Sequence, residues 1–246
     1  MKRSILSIGV LLLLILLIIF PISLGYNVKT LTVRNNGTTL YVGGTGPGNY
    51  THIQDALNDA NDSFTIFVYS GTYHEGIVIK KSIQLIGQDW HNTIIDGTDH
   101  AIVVLIQADN VIFQDFTVQY PSVDECTGIF IEGSYAGIYN NFIQRTITAI
   151  VSYASDSTKI IGNIIAKNVL GVKLQGSFLN LIEGNNFIEN VMHAKFQQSL
   201  FNVWDSNYWD KGRIGSFKLI FGSIGFNINF PWIQLDRHSA IAPYDI

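Results

Sequence analysis

Length, composition and charge narrow the classes of protein that this chain can belong to. It has 246 residues, of which 47% are hydrophobic and only 14% are charged, with 22 glycines and a formal net charge of −4. This length suits one sizeable core or one elongated solenoid, and the composition argues against intrinsic disorder. The negative charge disfavours nucleic-acid binding, because phosphate contacts require clustered Lys and Arg. Cys126 is the only cysteine, so no intramolecular disulfide can form.

The chain opens with an apolar leader over residues 1–25. Lys2 and Arg3 precede an uncharged run from Ser4 to Val28, which is long enough to cross a hydrocarbon core of about 30 Å. Cleavage by a signal peptidase near Gly25 and retention of residues 5–20 as a membrane anchor are both compatible with this run. Because basic residues stay on the cytoplasmic side, either outcome places the remainder outside the cytoplasm.

A repeat of 22 residues dominates the second half of the chain. It is clearest in one column of asparagines: Asn141, Asn163, Asn185 and Asn207. Three further columns keep the same spacing: Ile138, Ile160, Ile182 and Trp204; Ile143, Ile165, Phe187 and Trp209; Ser155, Ser177 and Ser199. An earlier copy fits if Ile112 heads the first apolar column and four residues are inserted near PSVDEC. A fixed period of this kind is typical of a solenoid.

Each period is too short for two packed helices and contains short Ile/Val/Phe-rich runs separated by Gly, Asn and Ser. We therefore predict one turn of short strands per period, with successive turns stacked at about 4.8 Å. Each column then runs along the solenoid axis, and the asparagines form a ladder whose amides satisfy buried backbone groups at a bend. Asn168 and Asn190 predict a second, shorter ladder.

Both ends of such a stack need a cap, because unpaired strand edges invite further strand addition. Upstream, Ile53, Ala56, Leu57 and Ala60 have helical spacing, and Thr51 is a candidate N-cap. Downstream of Lys211 the repeat is lost and aromatic residues become frequent. We expect residues 26–60 to form an N-terminal cap region, 61–211 a parallel β-helix with 22-residue coils, and 212–246 a capping tail.

Several segments resemble a known family. TLYVGGTGPGNYTHIQDAL from Thr39, YSGTYHEGIVIKKSIQLIGQ from Tyr69 and TIIDG from Thr93 are similar to the opening of secreted parallel β-helix proteins that include the copper-maturation protein NosD. The tail NYWDKGRIG, FPWIQLDRHSA and PYDI is similar to the ends of archaeal surface proteins of this type. The resemblance implies an all-β, single-stranded right-handed parallel β-helix of the pectin-lyase-like class, with a short N-terminal capping helix and an aromatic C-terminal cap. Relatives with this fold bind or cleave carbohydrates or act as surface proteins.

The acidic segment between Ser82 and Asn141, which contains no Lys or Arg, is the main candidate for a ligand or Ca²⁺ site. Its candidate residues are Asp96, Asp99, Asp115, Asp124 and Glu125. A solvated acidic face is the simpler interpretation, since no EF-hand-like spacing is present. The hydrolase signatures of the family are absent, which weakens an assignment as a lyase or hydrolase and leaves the catalytic residues unassigned.

Copper binding is a third alternative, implied by the NosD resemblance. The histidines are His52, His74, His91, His100, His193 and His238, with no His-x-His motif and no Met run. We therefore assign no metal site. Trp204 and Trp209 fall in core columns, so packing explains them better than sugar stacking.

The resulting expectation is a non-catalytic extracytoplasmic scaffold, either membrane-anchored or secreted, with a polysaccharide or cell-surface glycan as its partner and no cofactor other than optional Ca²⁺. A polysaccharide lyase or hydrolase and a copper-site accessory protein remain the alternatives.

Overall fold

The computed structural model describes residues 38–120, 126–225 and 230–246. Within these ranges the elements in chain order are one helix and twenty-four strands: β1 (Thr39–Val42), α1 (Ile53–Asp59), β2 (Thr65–Val68), β3 (Gly71–His74), β4 (Ile77–Ile79), β5 (Gln84–Gly87), β6 (Thr93–Asp96), β7 (Ile102–Ile106), β8 (Ile112–Gln114), β9 (Thr117–Gln119), β10 (Thr127–Ile131), β11 (Gly137–Tyr139), β12 (Phe142–Gln144), β13 (Thr148–Tyr153), β14 (Lys159–Ile161), β15 (Ile164–Ala166), β16 (Leu170–Gln175), β17 (Leu181–Glu183), β18 (Asn186–Ile188), β19 (Met192–Gln197), β20 (Val203–Asp205), β21 (Tyr208–Trp209), β22 (Arg213–Ile214), β23 (Phe217–Ile224) and β24 (Phe230–Asp236).

The strands form three parallel stacks around one core, which confirms the predicted right-handed parallel β-helix. Stack 1 contains β1, β2, β5, β8, β11, β14, β17, β20 and β24. Stack 2 contains β3, β6, β9, β12, β15, β18 and β21. Stack 3 contains β4, β7, β10, β13, β16, β19 and β23. Parallel pairing begins at Thr39, inside the region expected to serve only as a cap.

The 22-residue register holds strictly only in the later coils. Gly137, Lys159, Leu181 and Val203 are paired in succession at this spacing. Upstream, Thr65 pairs with Gln84 and Gln84 pairs with Ile112, which are spacings of 19 and 28 residues. The coils near the N-terminus therefore differ in length, so their equivalent residues cannot be found by counting a constant period.

The predicted start of the first apolar column was wrong by one residue. Ile138 pairs with Phe113, 25 residues earlier, so three residues rather than four are inserted. Alternation along β8 decides the register, because Phe113 is fully buried whereas Ile112 and Gln114 point outward.

Ladder side chains stabilise the bends of each coil. Asn140, Gly162, Gly184 and Ser206 adopt positive φ, and each is followed directly by a member of the asparagine column. The turn directs the next backbone N–H inward, where the asparagine of the following coil accepts it: Asn141 N donates to Asn163 Oδ1 at 2.9 Å. Left-handed φ is unfavourable for most residues, and these hydrogen bonds offset part of that cost.

The first coil is capped by α1, as predicted, but its N-cap is His52 and not Thr51. No side chain of the N-cap residue bonds to the helix. Instead the buried carboxylate of Glu75 accepts the N–H groups of Ile53 and Gln54 at 2.9 and 3.0 Å. A group 22 residues away therefore satisfies the free amides of the first turn.

The other end of the stack is covered by an antiparallel hairpin of β23 and β24. Its inner face is buried, with Ile220 and Asp236 at 1% and 0% exposure. Trp204 Nε1 donates to Gln234 Oε1 at 2.7 Å and so links the last coil to the hairpin.

No helix in the described ranges has the length and hydrophobicity needed to span a bilayer. The predicted anchor at residues 5–20 and the cleavage position near Gly25 lie outside those ranges.

Candidate functional site

Of the five predicted acidic candidates, the structure describes Asp96, Asp99 and Asp115, which do not form a metal-binding cluster with one another. Asp96 ends β6, Asp99 lies in the exposed turn that follows, and Asp115 occupies the bend after β8 with a φ of 65°. Asp124 and Glu125 lie outside the described residues. Among the residues that are described, no group of three or more His, Cys, Asp or Glu side chains could hold a metal ion. A Ca²⁺ site built from all five residues therefore stays a prediction.

Asp96 belongs to a polar column on the outer face of stack 2. Successive register partners along this column are His74, Asp96, Gln119 and Gln144. Gln119 Nε2 donates to Asp96 Oδ2 at 3.2 Å, and Gln144 Nε2 donates to Gln119 Oε1 at 3.1 Å. The column therefore presents amide and carboxylate groups in a fixed orientation.

The carboxylate of Asp96 is held ionised although the residue is buried, with only 7% of its surface exposed. Burial alone raises its pKa, but hydrogen bonds from Thr98 and Gln119 outweigh this effect and lower the pKa below its ordinary value. Thr98 donates to Asp96 Oδ1 through both its hydroxyl group at 2.6 Å and its backbone N–H at 3.2 Å. Asp96 is thus a fixed anionic acceptor at neutral pH.

An aromatic surface lies beside this column. Trp90 stacks on His91 at 3.6 Å and packs edge-on against Phe142 at 5.6 Å between ring centroids. Phe142 and Gln144 point to the same side of β12, since alternate residues share a face. We refer to Trp90, His91, Phe142, Asp96, Gln119 and Gln144 as the Trp90 face.

The loop that carries Trp90 is held by Asp89. Its carboxylate accepts the backbone N–H of His91 at 3.0 Å, lies 2.8 Å from His91 Nδ1 and accepts Asn92 Nδ2 at 2.8 Å. The backbone and ring of His91 lower the pKa of Asp89.

Burial raises the pKa of Asp115, and the charge of Asp89 raises it further. The pKa values of the Asp96 and Asp115 carboxyl groups are therefore shifted in opposite directions.

Sequence reasoning missed a second feature, a groove between the last coil and the hairpin. Its cavity has a volume of about 690 Å³. We define the terminal groove by Met192, His193, Lys195, Lys211, Lys218 and Phe221, which are among its lining residues. None of the described residues that line its walls is acidic. The groove could not be recognised in the sequence because its two walls belong to segments with different periodicity.

Burial shifts the pKa values of His193 and Lys218 in the terminal groove. Burial, reinforced by the charge of Lys218, lowers the pKa of His193 to about 4, although Asp210 opposes the shift. His193 Nε2 lies 2.8 Å from Asp210 Oδ1. Burial also lowers the pKa of Lys218, whose Nζ donates to the Lys211 carbonyl at 2.8 Å and lies 5.3 Å from the Trp209 ring centroid.

The remaining candidates for metal binding are dispersed in the described residues. His91 pairs with Asp89, His238 with Asp205, and His52 lies 4.0 Å from Glu75. Burial raises the pKa of Cys126 to about 12, so the free thiol stays protonated and is a poor metal ligand. These residues do not provide the set of soft ligands that copper prefers.

Trp204 and Trp209 pack in the core, as the sequence analysis expects. Trp209 is 1% exposed and stacks on Phe187 at 4.1 Å, while Trp204 is 3% exposed. Neither ring presents a face to a ligand at the surface.

Three stacks of parallel strands with stacked asparagines define this chain as a pectin-lyase-like parallel β-helix. Residues 24–216 match the family described as "Periplasmic copper-binding protein (NosD)". The chain therefore belongs to the NosD family.

Comparison with individual proteins gives a consistent picture of the fold. The probable pectinesterase/pectinesterase inhibitor 6 of Arabidopsis thaliana is 42% identical over 67 residues, which cover 24% of this chain and 12% of that protein. Pectin methylesterase from carrot has a TM-score of 0.53 at 13% identity and covers 70% of this chain and 74% of its own. The Escherichia coli protein ybhc has a TM-score of 0.51 at 14% identity, with coverages of 69% and 65%. At 13% and 14% identity, the similarity to the carrot enzyme and to ybhc shows a shared fold and nothing further.

Proposed function

We propose that this protein is an extracytoplasmic β-helix scaffold that binds polysaccharide without cleaving it, and that the Trp90 face is the binding surface. The observation that carries the proposal is the partly exposed Trp90 ring beside the polar column of Asp96, Gln119 and Gln144. Sugars offer apolar C–H faces and ring hydroxyls, so a large aromatic ring flanked by amides and a carboxylate complements both.

Two comparisons support the ligand class and the location. Pectin methylesterases occur among the structural neighbours, and by name these enzymes act on a polysaccharide. The family description places its members in the periplasm, which agrees with the predicted export by the leader. Fold similarity does not transfer an activity, so the binding surface has to be tested directly.

Binding is tested by calorimetry of the full chain with acidic and neutral polysaccharides. We expect Trp90→Ala to weaken binding by about tenfold, which corresponds to about 1.4 kcal/mol. Tyr153→Ala is the matched control, because Tyr153 is an exposed aromatic residue on stack 3. Equal affinity of the Trp90→Ala variant and the unmodified protein would remove the Trp90 face from the proposal.

An enzyme is the second candidate, favoured by the opposite pKa shifts of Asp96 and Asp115. Pairs of carboxyl groups with separated pKa values are typical of acid–base catalysis. Incubation with acidic and neutral glycans, with and without Ca²⁺, is followed by ultraviolet absorbance for unsaturated products and by new reducing ends. We expect no turnover. Turnover that is lost in Asp96→Asn, Asp99→Asn or Asp115→Asn would establish the enzyme instead.

The location outside the cytoplasm is proposed from the leader, with residues 5–20 as an anchor unless cleavage occurs near Gly25. Cell fractionation with N-terminal sequencing distinguishes the two outcomes. Recovery of the full-length chain from the cytosol would contradict both.

A further inference from the structure

The C-terminal hairpin has an apolar face that is turned away from the rest of the stack. Its inner face packs on the last coil, but its outer face is also apolar. Paired positions across the hairpin include Leu219 with Leu235 and Phe221 with Ile233. We define the hairpin outer face by the apolar residues at outward positions of the two strands, beside which Ser223 pairs with Pro231: Phe217, Leu219, Phe221, Pro231, Ile233 and Leu235. None of these residues carries a charge.

This outer face is well exposed. Phe221 is 62%, Phe217 49% and Ile233 46% exposed. An exposed apolar patch on a soluble domain marks a contact with a membrane or another protein. The flanking charges distinguish between these two occupants.

The adjacent terminal groove carries an excess of positive charge, although the carboxylate of Asp210 lies 2.8 Å from His193 Nε2. Lys195, Lys211 and Lys218 line it together with Phe221, and no acidic residue is present among the described lining residues. Burial lowers the pKa of the Lys218 ammonium group, and the charge of Lys211 lowers it further although Asp210 opposes the shift. The groove is therefore complementary to anions, although the chain as a whole has a net charge of −4.

We propose that the hairpin outer face docks on an anionic phospholipid bilayer, with lipid headgroups held in the terminal groove. The aromatic and aliphatic side chains enter the interface between headgroups and acyl chains, and the lysines contact the anionic headgroups. This combination of apolar burial and basic charge is what binds peripheral elements to membranes. A second copy of this chain is the less suitable occupant, because two-fold pairing would bring Lys195, Lys211 and Lys218 of both copies to the contact, where they outnumber the carboxylate of Asp210.

The test uses the full chain in nanodiscs, so the leader is the same in every sample. An environment-sensitive fluorophore is attached to Ile233→Cys on the hairpin outer face, and in a control protein to Tyr135→Cys. Tyr135 is as exposed as Phe221 but lies three coils from the end of the stack. Cys126 is buried with its pKa raised to about 12, so the label goes to the introduced thiol.

In nanodiscs of phosphatidylglycerol mixed with phosphatidylcholine, we expect a blue shift and a several-fold rise in fluorescence at position 233 and none at position 135. The rise should be largely lost in pure phosphatidylcholine. Phe221→Ser should abolish it, and Lys195→Gln with Lys211→Gln should reduce it, while circular dichroism shows each variant folded.

Three results would overturn the proposal. One is an equal signal at position 233 in anionic and neutral nanodiscs, and another is a signal unchanged by Phe221→Ser. The third is a signal without lipid that rises with protein concentration, which would assign the face to a second copy. Because Trp90 lies on another surface, glycan binding can fail or succeed independently of this result.

Discussion

Buried asparagines show how single residues support the coils. The Asn163 amide donates to Ile138 O, Ile161 O and Asn185 Oδ1 at 2.9, 3.1 and 3.0 Å. Its Oδ1 accepts both the backbone and the side-chain nitrogen of Asn141. One side chain therefore satisfies groups from three coils.

Substituting Asn163 tests this role. Asn163→Ala leaves several buried groups without partners, so we expect the free energy of unfolding to fall by roughly 1–3 kcal/mol. Thermal and urea unfolding measure the change. Asn61→Ala, at an exposed asparagine before β2, serves as the control and should be nearly neutral. An unchanged midpoint for Asn163→Ala would contradict a structural role.

His193 makes stability depend on pH. Its folded pKa of about 4 lies below the ordinary value of 6.5, because the buried imidazole is held neutral. Between these pH values the unfolded chain takes up a proton that the folded chain does not. The contribution of His193 is therefore complete above pH 6.5 and falls as the pH drops towards 4, by up to about 3 kcal/mol.

The variant His193→Gln isolates this effect from the titration of carboxylates. Urea unfolding at pH 7 and pH 4.5 should show a larger stability difference between the unmodified protein and the variant at pH 7. A difference that is the same at both pH values would mean that His193 does not titrate in this window.

At the scale of elements, α1 depends on a residue from another strand. Glu75 follows β3 and its carboxylate caps the helix, whereas the Thr51 side chain does not. We expect Glu75→Ala to lower the free energy of unfolding by about 1–2 kcal/mol and Thr51→Ala to have little effect. Unfolding of the two variants side by side measures the contrast, and equal losses would refute it.

The hairpin completes the asparagine ladder at the other end. Asp236 Oδ2 accepts the backbone and side-chain nitrogens of Asn207, both at 3.0 Å, and Trp209 Nε1, also at 3.0 Å. Its carboxylate accepts the hydrogen bonds that an asparagine of a further coil would accept, although Asp236 itself pairs in register with Trp204. The ladder thus ends on a carboxylate rather than on unsatisfied donors.

At the scale of the whole molecule, the two proposed binding surfaces lie at different positions along the stack. The Trp90 face lies on stack 2 among the early, unequal coils, whereas the hairpin outer face and the terminal groove lie at the far end of the stack. The proposed glycan surface and the proposed membrane surface therefore lie on different parts of the stack. The two proposals depend on different residues, so separate variants test them.

The 22-residue period, the inward columns and the asparagine ladder could be read from the sequence because each residue stacks on its own equivalent one coil away. Local alternation and a constant spacing were sufficient for Ile160, Ile182 and Asn185. The helix α1 was likewise visible from the spacing of Ile53, Ala56 and Leu57.

Only the tertiary structure decided the contacts between segments that do not share that period. Trp90 reaches Phe142 across coils of unequal length, Glu75 caps α1, and Asp236 ends the ladder. Likewise, only the structure shows that Asp96 ends β6 whereas Asp115 occupies the bend after β8. Periodicity carries information about neighbours at a fixed spacing, whereas these contacts depend on how each irregular coil and the hairpin fold back in space.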